Sequence, residues 1–210
     1  VNPLLTCLIP TAGRESLARC LRSLQLQQWR GLEVLVIGDT HDGPLPQTEA
    51  TVRSFGPRFR YLAHDAGHHC FGHCALNYGL EQAQGEYVHC QDDDDIYANG
   101  ALYTIRQTIR RLRQPRPLLF RFRSYFGHDY WAQQGLVREG LIGGHCLVAP
   151  NLPGKLGRFT CRYQGDFDWI RSTLDGYPDG PEPLWLEDII CLARPKAEQD
   201  WTQQRRKVTA

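Results

Sequence analysis

The sequence predicts an α/β fold: one domain with a mainly parallel, twisted sheet flanked by helices. Three observations predict it. Short apolar runs that read as buried strands alternate with segments of helical period through the first half of the chain. Glycine, proline and acidic residues punctuate the junctions. Polar residues cluster just after the strands, where open parallel sheets bind their ligands.

Leu4 to Ile9 is an apolar run closed by Pro10 and reads as a buried strand. Gly13 gives a turn and Ser16 can cap a helix running to about Gln28, with Leu17, Cys20, Leu21 and Leu24 on one face. Glu33 to Ile37 is a second strand, Thr48 to Phe55 a short helix and Phe59 to Ala63 a third strand. Gly72 to Gln84 predicts a helix stopped by Gly85, and Glu86 to Cys90 a fourth strand. Asn99 to Leu112 is a further helix, Leu118 to Phe122 and Gly144 to Val148 later strands, and Asp166 to Leu174 a short helix; the Gly/Pro/Asp-rich stretch 176–183 is a loop.

With 210 residues the chain suits one domain, and 41% hydrophobic against 22% charged residues excludes disorder for most of it. Apolar runs fall far short of the roughly 20 residues a membrane helix needs. No signal segment opens the chain, so membrane insertion is not expected and a cytoplasmic location is. Methionine is absent even at position 1, which predicts that the first residue is not the initiator. The eight cysteines form no C-x-x-C pair, so free thiols are expected rather than a disulfide framework.

The strongest chemical signal is Asp92-Asp93-Asp94-Asp95, directly after the fourth strand. Two unit charges about 4 Å apart repel by roughly 1 kcal/mol even in water. Four such carboxylates at a strand end call for a counter-charge, and their hard oxygens suit Mg²⁺, Mn²⁺ or Ca²⁺ rather than zinc. Asp92 and Asp94 alternate along the strand direction and can face one ligand. The plainer reading is a solvated acidic turn at the start of a helix.

In order along the chain stand Leu8-Ile9-Pro10-Thr11, Arg14 before a helix, Val34 to Asp39, Asn77-Tyr78-Gly79-Leu80 followed by Ala83-Gln84-Gly85, and the acidic run with Ile96-Tyr97. This ordered set, over about residues 4–105, resembles family 2 glycosyltransferases of the GT-A fold. The resemblance implies a single GT-A-like domain over 1–210. Residues 1–98 would form its nucleotide-sugar-binding half and 99–210 its acceptor half. It implies inverting transfer of a sugar, a hexose from a UDP-sugar such as UDP-glucose, to an acceptor hydroxyl, with Mn²⁺ or Mg²⁺. It places Pro10, Thr11, Arg14, Asp39, Asn77, Asp92 and Asp93 against the nucleotide sugar, and Asp94 with Asp92 on the metal. The chain has Gly38-Asp39 where the family often has two acidic residues, and Leu76 where it often has a basic one.

The resemblance also implies an acidic general base at a helix start in the later half. Asp166 and Asp168, in Gly165-Asp166-Phe167-Asp168-Trp169, are the candidates. His145, after paired glycines, and Trp169 are candidate acceptor or diphosphate contacts. Glu187 is the late residue able to complete a metal sphere, although a plain structural role is the better reading. His68, His69, Cys70, His73 and Cys74 lie within seven residues and include zinc-type donors. A structural zinc usually draws its four ligands from separated pairs, so a helix start with incidental thiols is expected.

From Ile96 to His128 there is no acidic residue and there are seven arginines, among them Arg106, Arg110, Arg113, Arg121 and Arg123. Arg205-Arg206-Lys207 adds a second basic cluster. Arginine grips phosphate bidentately, so Arg121 and Arg123 are candidate phosphate contacts. Nucleic acid bearing hydroxylated bases joins carbohydrates and small metabolites as an acceptor class; the plainer reading is a solvated helix face. Two alternatives remain: a nucleic-acid-binding protein on an inert GT-A fold, and a sugar-1-phosphate nucleotidyltransferase. The latter's glycine-rich, lysine-bearing first loop is missing from Pro10-Thr11-Ala12-Gly13-Arg14.

Overall fold

A computed structural model of the chain describes residues 3–67 and 70–196. Its first half runs β1 (Leu5–Thr11), α1 (Leu17–Gln25), β2 (Leu32–Asp39), α2 (Pro46–Ser54), β3 (Phe59–His64), α3 (His73–Gln82) and β4 (Tyr87–Cys90). These strands pair in parallel in the order β3-β2-β1-β4. The second half adds β5 (Ile96–Tyr97), α4 (Ala101–Arg111), β6 (Leu118–Arg123), β7 (Asp129–Tyr130), β8 (Leu147–Pro150), α5 (Gly165–Asp175) and β9 (Leu184–Leu192). The sheet continues from β4 through β8, β6 and β9 to β5, with β7 on β6. Here β8 is antiparallel to both β4 and β6, while β9 runs parallel to β6.

Burial on both faces explains why the parallel strands carry unbroken apolar runs. Along β1 and β2, Leu5, Cys7, Ile9, Val34 and Val36 face one core with α1, α2 and α4. Leu8, Leu35 and Ile37 face the other, with α3 and α5. Helix α1 buries Leu17, Cys20, Leu21 and Leu24, the stripe its spacing predicts. Ser16 stands at its N-cap without a side-chain cap bond. Gly79 lets α3 lie close on the sheet: a Cβ there would come within 2.8 Å of the Ile37 side chain.

The departures are in the second half. Gly144–Cys146 is a 3-10 turn, and the strand starts only at Leu147. Strand β9 is nine residues long where the sequence showed only an apolar triplet and an acidic pair. Register shifts against β6 turn Glu187 and Asp188 to solvent and break the alternation that would have revealed it. The thiol expectation needs a correction. Cys7, Cys20, Cys90, Cys146 and Cys191 are free and buried, but Cys70 is joined to Cys74 as a disulfide, with Cys161 Sγ against Cys70 Sγ as well. No helix of the described residues is long and apolar enough to cross a membrane. His68, His69 and Arg205-Arg206-Lys207 lie outside the described residues.

Candidate active site

The carboxyl ends of β1, β2 and β4 open into a cleft of about 540 Å³. From the first half it takes Pro10, Thr11, Arg14, Asp39, Asp92 and Asp93. From the second half come His145, Asp166 and Arg194. Exposed Phe71 and Tyr163 stand at its rim in an edge-to-face pair, ring centroids 5.8 Å apart.

Asp93 is buried and ties the ends of β1 and β4 together through the turn before α1. Its Oδ2 accepts the Thr11 hydroxyl at 2.5 Å and its Oδ1 accepts Arg14 at 3.1 Å. Burial pushes its pKa up, against the Thr11 bond and the Arg14 charge. Asp39 Oδ1 accepts the backbone N–H groups of His41 and Ala66, bracing the loops after β2 and β3.

Much of the counter-charge demanded by the acidic run comes from the protein. Asp94 Oδ2 accepts Arg14 at 3.2 Å and Arg194 Nε at 2.9 Å. Asp95 Oδ1 accepts the Arg194 backbone N–H at 2.8 Å, and Asp95 Oδ2 pairs with His145 Nε2 at 2.7 Å. Burial alone would lower the His145 pKa, but Asp95, with the charges of Asp92 and Asp166, holds it at about 9. Behind it, buried His89 is pushed down to about 4 by burial and stays neutral. His89 Nε2 donates to the His145 carbonyl at 3.0 Å, which leaves Nδ1 to accept the Tyr97 hydroxyl at 2.5 Å.

Asp92, Asp94 and Asp95 each present an oxygen within 4.8 Å of the others. Asp95 is committed to His145 and Arg194. Among the described residues, Asp94 Oδ1 is buried without a hydrogen-bond partner, and the Asp92 carboxylate has only His145, at 3.7 Å. Its setting among protein atoms at the cleft floor, though the side chain stays half exposed, pushes the Asp92 pKa up against the His145 charge, with Asp95 and Asp94 adding to the rise. Two hard carboxylates, one with an orphaned oxygen, fit a divalent cation of the Mg²⁺ or Mn²⁺ type.

The two candidate bases separate. Asp166 lies in the cleft, its Oδ2 accepting Gly144 N–H at 2.9 Å and its Oδ1 its helix neighbour Phe167 N–H at 2.7 Å. Asp168, two residues on, faces a separate depression, where Arg162 binds it through Nε and Nη2 at 2.6 Å each and Thr160 donates to it. Those bonds hold its pKa down at about 2. Four further contact candidates, Trp169, Asn77, Arg121 and Arg123, are not among the residues that line the cleft. Trp169 is fully buried and stacked on Phe159. Asn77 bonds the backbone of Phe159 through both its amide atoms and does not line the cleft. Arg121 lies over the Trp131 ring, and Arg123 grips Asp129. Glu187 is exposed, with Arg121 3.7 Å away.

Sequence reading missed Arg194. It follows β9 at φ 43°, and Ala193 N–H bonds the Arg123 carbonyl, so the strand end delivers Arg194 to the acidic turn. It brings a cation to the acidic turn, its Nε donating to Asp94 Oδ2. The only signal was its place just after a strand that the sequence hid.

The described sheet and its cleft define a GT-A-like α/β protein. Residues 6–159 match the family model described as glycosyl transferase family 2. The chain belongs to that family. A β-1,3-glucosyltransferase of Campylobacter jejuni acting on GalNAc(5)-diNAcBac-PP-undecaprenol is 30% identical over 106 residues, 50% of this chain and 34% of that protein. Among solved structures, Staphylococcus aureus TarS 1–349 in complex with UDP aligns over 93% of this chain and 61% of its own, with TM-score 0.70 and 19% identity. The mannosyltransferase PcManGT of Pyrobaculum calidifontis, in complex with GDP-Man and Mn²⁺, aligns over 95% of this chain and 59% of its own, with TM-score 0.65 and 18% identity. The chain thus spans about a third of the curated relative's length and about three fifths of these two structures.

Proposed function

We propose that the chain carries a metal-dependent, inverting hexosyltransferase site that moves a sugar from a UDP-sugar to a carbohydrate hydroxyl. Residues 1–98 serve chiefly the donor, joined by Arg194, and 99–210 chiefly the acceptor, joined by Phe71. The observation that carries the reading is Asp94 Oδ1, buried with no hydrogen-bond partner among the described residues, beside Asp92 at the carboxyl end of β4, where Asp92 shares the cleft with Asp166, a carboxylate in no ion pair among those residues. The UDP and UDP-GlcNAc complexes of TarS and the Mn²⁺ complex of PcManGT support the choice of donor and ion.

Thr11 and Asp39 line the wall where the base and ribose would lie. Arg14 and Arg194 flank the place of the diphosphate, whose charge they would share with a cation. An ion held by Asp92 and Asp94 would stabilise charge on the leaving diphosphate. Asp166 takes the acceptor proton as the acceptor oxygen bonds the anomeric carbon and the bond from that carbon to the diphosphate breaks. Phe71 and Tyr163 offer a stacking face for an acceptor sugar ring. A nucleic-acid acceptor is disfavoured by position. Arg116 N–H bonds the Tyr87 hydroxyl at the start of β4, the end of that strand away from the cleft, and Arg110 and Arg111 close α4 shortly before it in the chain.

The test is calorimetric titration of UDP-glucose and UDP-GlcNAc into the chain and an Asp94→Ala variant, with and without Mn²⁺. Mn²⁺-dependent binding that is lost in the variant supports the reading. Absence of binding to any nucleotide sugar overturns it.

A further inference from the structure

Outside the cleft, three cysteines from two distant segments meet. Phe71 at φ 51° and Gly72 at φ 80° turn the chain back before α3. This sets Cys70 over the first helical turn, with His73 N–H bonding the Cys70 carbonyl at 2.7 Å. Cys74 lies in that turn. Cys161 arrives from the loop before α5, 91 residues away from Cys70 in sequence. Cys70 Sγ contacts both other sulfurs, Cys74 Sγ and Cys161 Sγ are 3.1 Å apart, and all three lie within 4.8 Å of one another. The sequence showed only one half of this group, since Cys161 carries no local motif.

Valence decides what such a trio can do. A sulfur forms one disulfide bond, so any disulfide here leaves a third thiol pressed against it. A soft metal ion uses all three sulfurs at once. We propose that Cys70, Cys74 and Cys161 form a thiolate site for one zinc ion, separate from the acidic turn. Zinc takes thiolates at about 2.3 Å in tetrahedral geometry, which sets the sulfurs roughly 3.7 Å apart. Loading would open all three sulfur contacts, that between Cys74 and Cys161 by roughly half an ångström and the two made by Cys70 by more, at a site where Cys161 is exposed on a loop. The three thiols release three protons on loading. No fourth His, Cys, Asp or Glu joins the group among the described residues.

The site has a purpose in the fold. Cys70 adjoins Phe71 and Cys161 lies two residues before Tyr163, the two aromatics of the cleft rim. Asp166 follows three residues after Tyr163. An ion joining the segments would fix the rim and the start of α5 to α3. The burial of Cys70 and the exposure of Cys161 place the ion at the surface, where it can exchange.

The experiment is to purify the chain under reducing conditions without chelator and count metals by plasma mass spectrometry. One zinc per chain is expected, lost in Cys161→Ala and retained in Cys20→Ala. Replacement by Co²⁺ should give a thiolate-to-cobalt charge-transfer band in the wild type, which carboxylates such as Asp92 and Asp94 cannot produce. A non-reducing digest showing a Cys70–Cys74 disulfide with no stoichiometric metal overturns the proposal. Metal and band that persist in Cys161→Ala do so too. If Cys161→Ala does not fold, the wild-type zinc count and cobalt band decide alone. Both readouts are independent of nucleotide-sugar binding, so failure of the donor site would leave them unchanged.

Discussion

Replacing Asp166 by asparagine tests the acceptor half at one atom. The exchange keeps the size of the side chain and removes its capacity to take a proton. A positioned general base contributes about 10²–10⁴ in rate, or roughly 2.7–5.5 kcal/mol of barrier at 1.36 kcal/mol per tenfold. The side chain also has a structural cost to be separated out. Both carboxylate oxygens accept backbone N–H groups, from Gly144 and from Phe167. Asparagine can keep one of these bonds and turns an NH₂ group toward the other donor. That loss is worth about 1–2 kcal/mol, and so a fall of a few degrees in Tm at about 2–4 °C per kcal/mol for a chain of this size. The expected result is kcat down about 10²- to 10⁴-fold, donor affinity unchanged and a folded protein with slightly lower Tm. The assay is UDP release with a saturating acceptor, beside calorimetric donor binding and thermal denaturation. Transfer within threefold of wild type in Asp166→Asn, with the large loss falling on Asp168→Asn instead, would refute the assignment.

Asp168 should instead report on acid stability. Its pKa is held at about 2 by Arg162 and Thr160, below the ordinary 3.8. Its contribution is therefore present above about pH 4 and lost as pH falls toward 2. Asp168→Asn should flatten the pH dependence of stability in that window, as measured by denaturant midpoints; an unchanged slope would remove the Arg162 pair from the account. Gly85→Ala should cost about 1–3 kcal/mol, because a Cβ would sit 2.5 Å from Thr6 N and 2.7 Å from the Tyr87 carbonyl oxygen. Chemical denaturation reads the loss, and an unshifted midpoint would contradict the packing. Tyr163→Ala, at a side chain 76% exposed, should leave stability within about 0.5 kcal/mol. It should raise the acceptor KM about two- to tenfold, the worth of one aromatic contact. An unchanged KM would remove the rim from acceptor binding.

The nucleotide half was legible because its signals are local. Val34 to Ile37 and Leu4 to Ile9 declare buried strands without help from any partner, and each strand end carries its polar residues within four positions. Parallel strands with short connections then leave little freedom in where Thr11, Asp39 and Asp92 meet. The second half was less legible because its order depends on distant pairings. β9 is bent by register shifts, and its middle carries Glu187 and Asp188 outward, so no period of two survives. Asp166 and Asp168 are the same residue type two positions apart on one helix. Only the fold decides that the first meets Gly144 in the cleft and the second meets Arg162 outside it.

The acidic turn shows how burial divides a charge demand that the sequence states only as a whole. Four adjacent carboxylates do require compensation, and the sequence offered a cation as its form. Burial sorted the four instead. Asp93 took Thr11 and Arg14, and Asp95 took His145 and the Arg194 backbone. Asp94 took Arg14 and Arg194 on one oxygen only. What remains for a metal ion is the other Asp94 oxygen and Asp92. Such a sparse set is completed most readily by oxygens of a bound diphosphate. Metal and nucleotide sugar should therefore bind with positive coupling, each raising the affinity of the other by the same factor. Calorimetric titration of Mn²⁺ with and without UDP measures that factor from one side, and titration of UDP with and without Mn²⁺ from the other. A Mn²⁺ affinity indifferent to UDP would mean that Asp92 and Asp94 hold the ion without the diphosphate, which this geometry does not support.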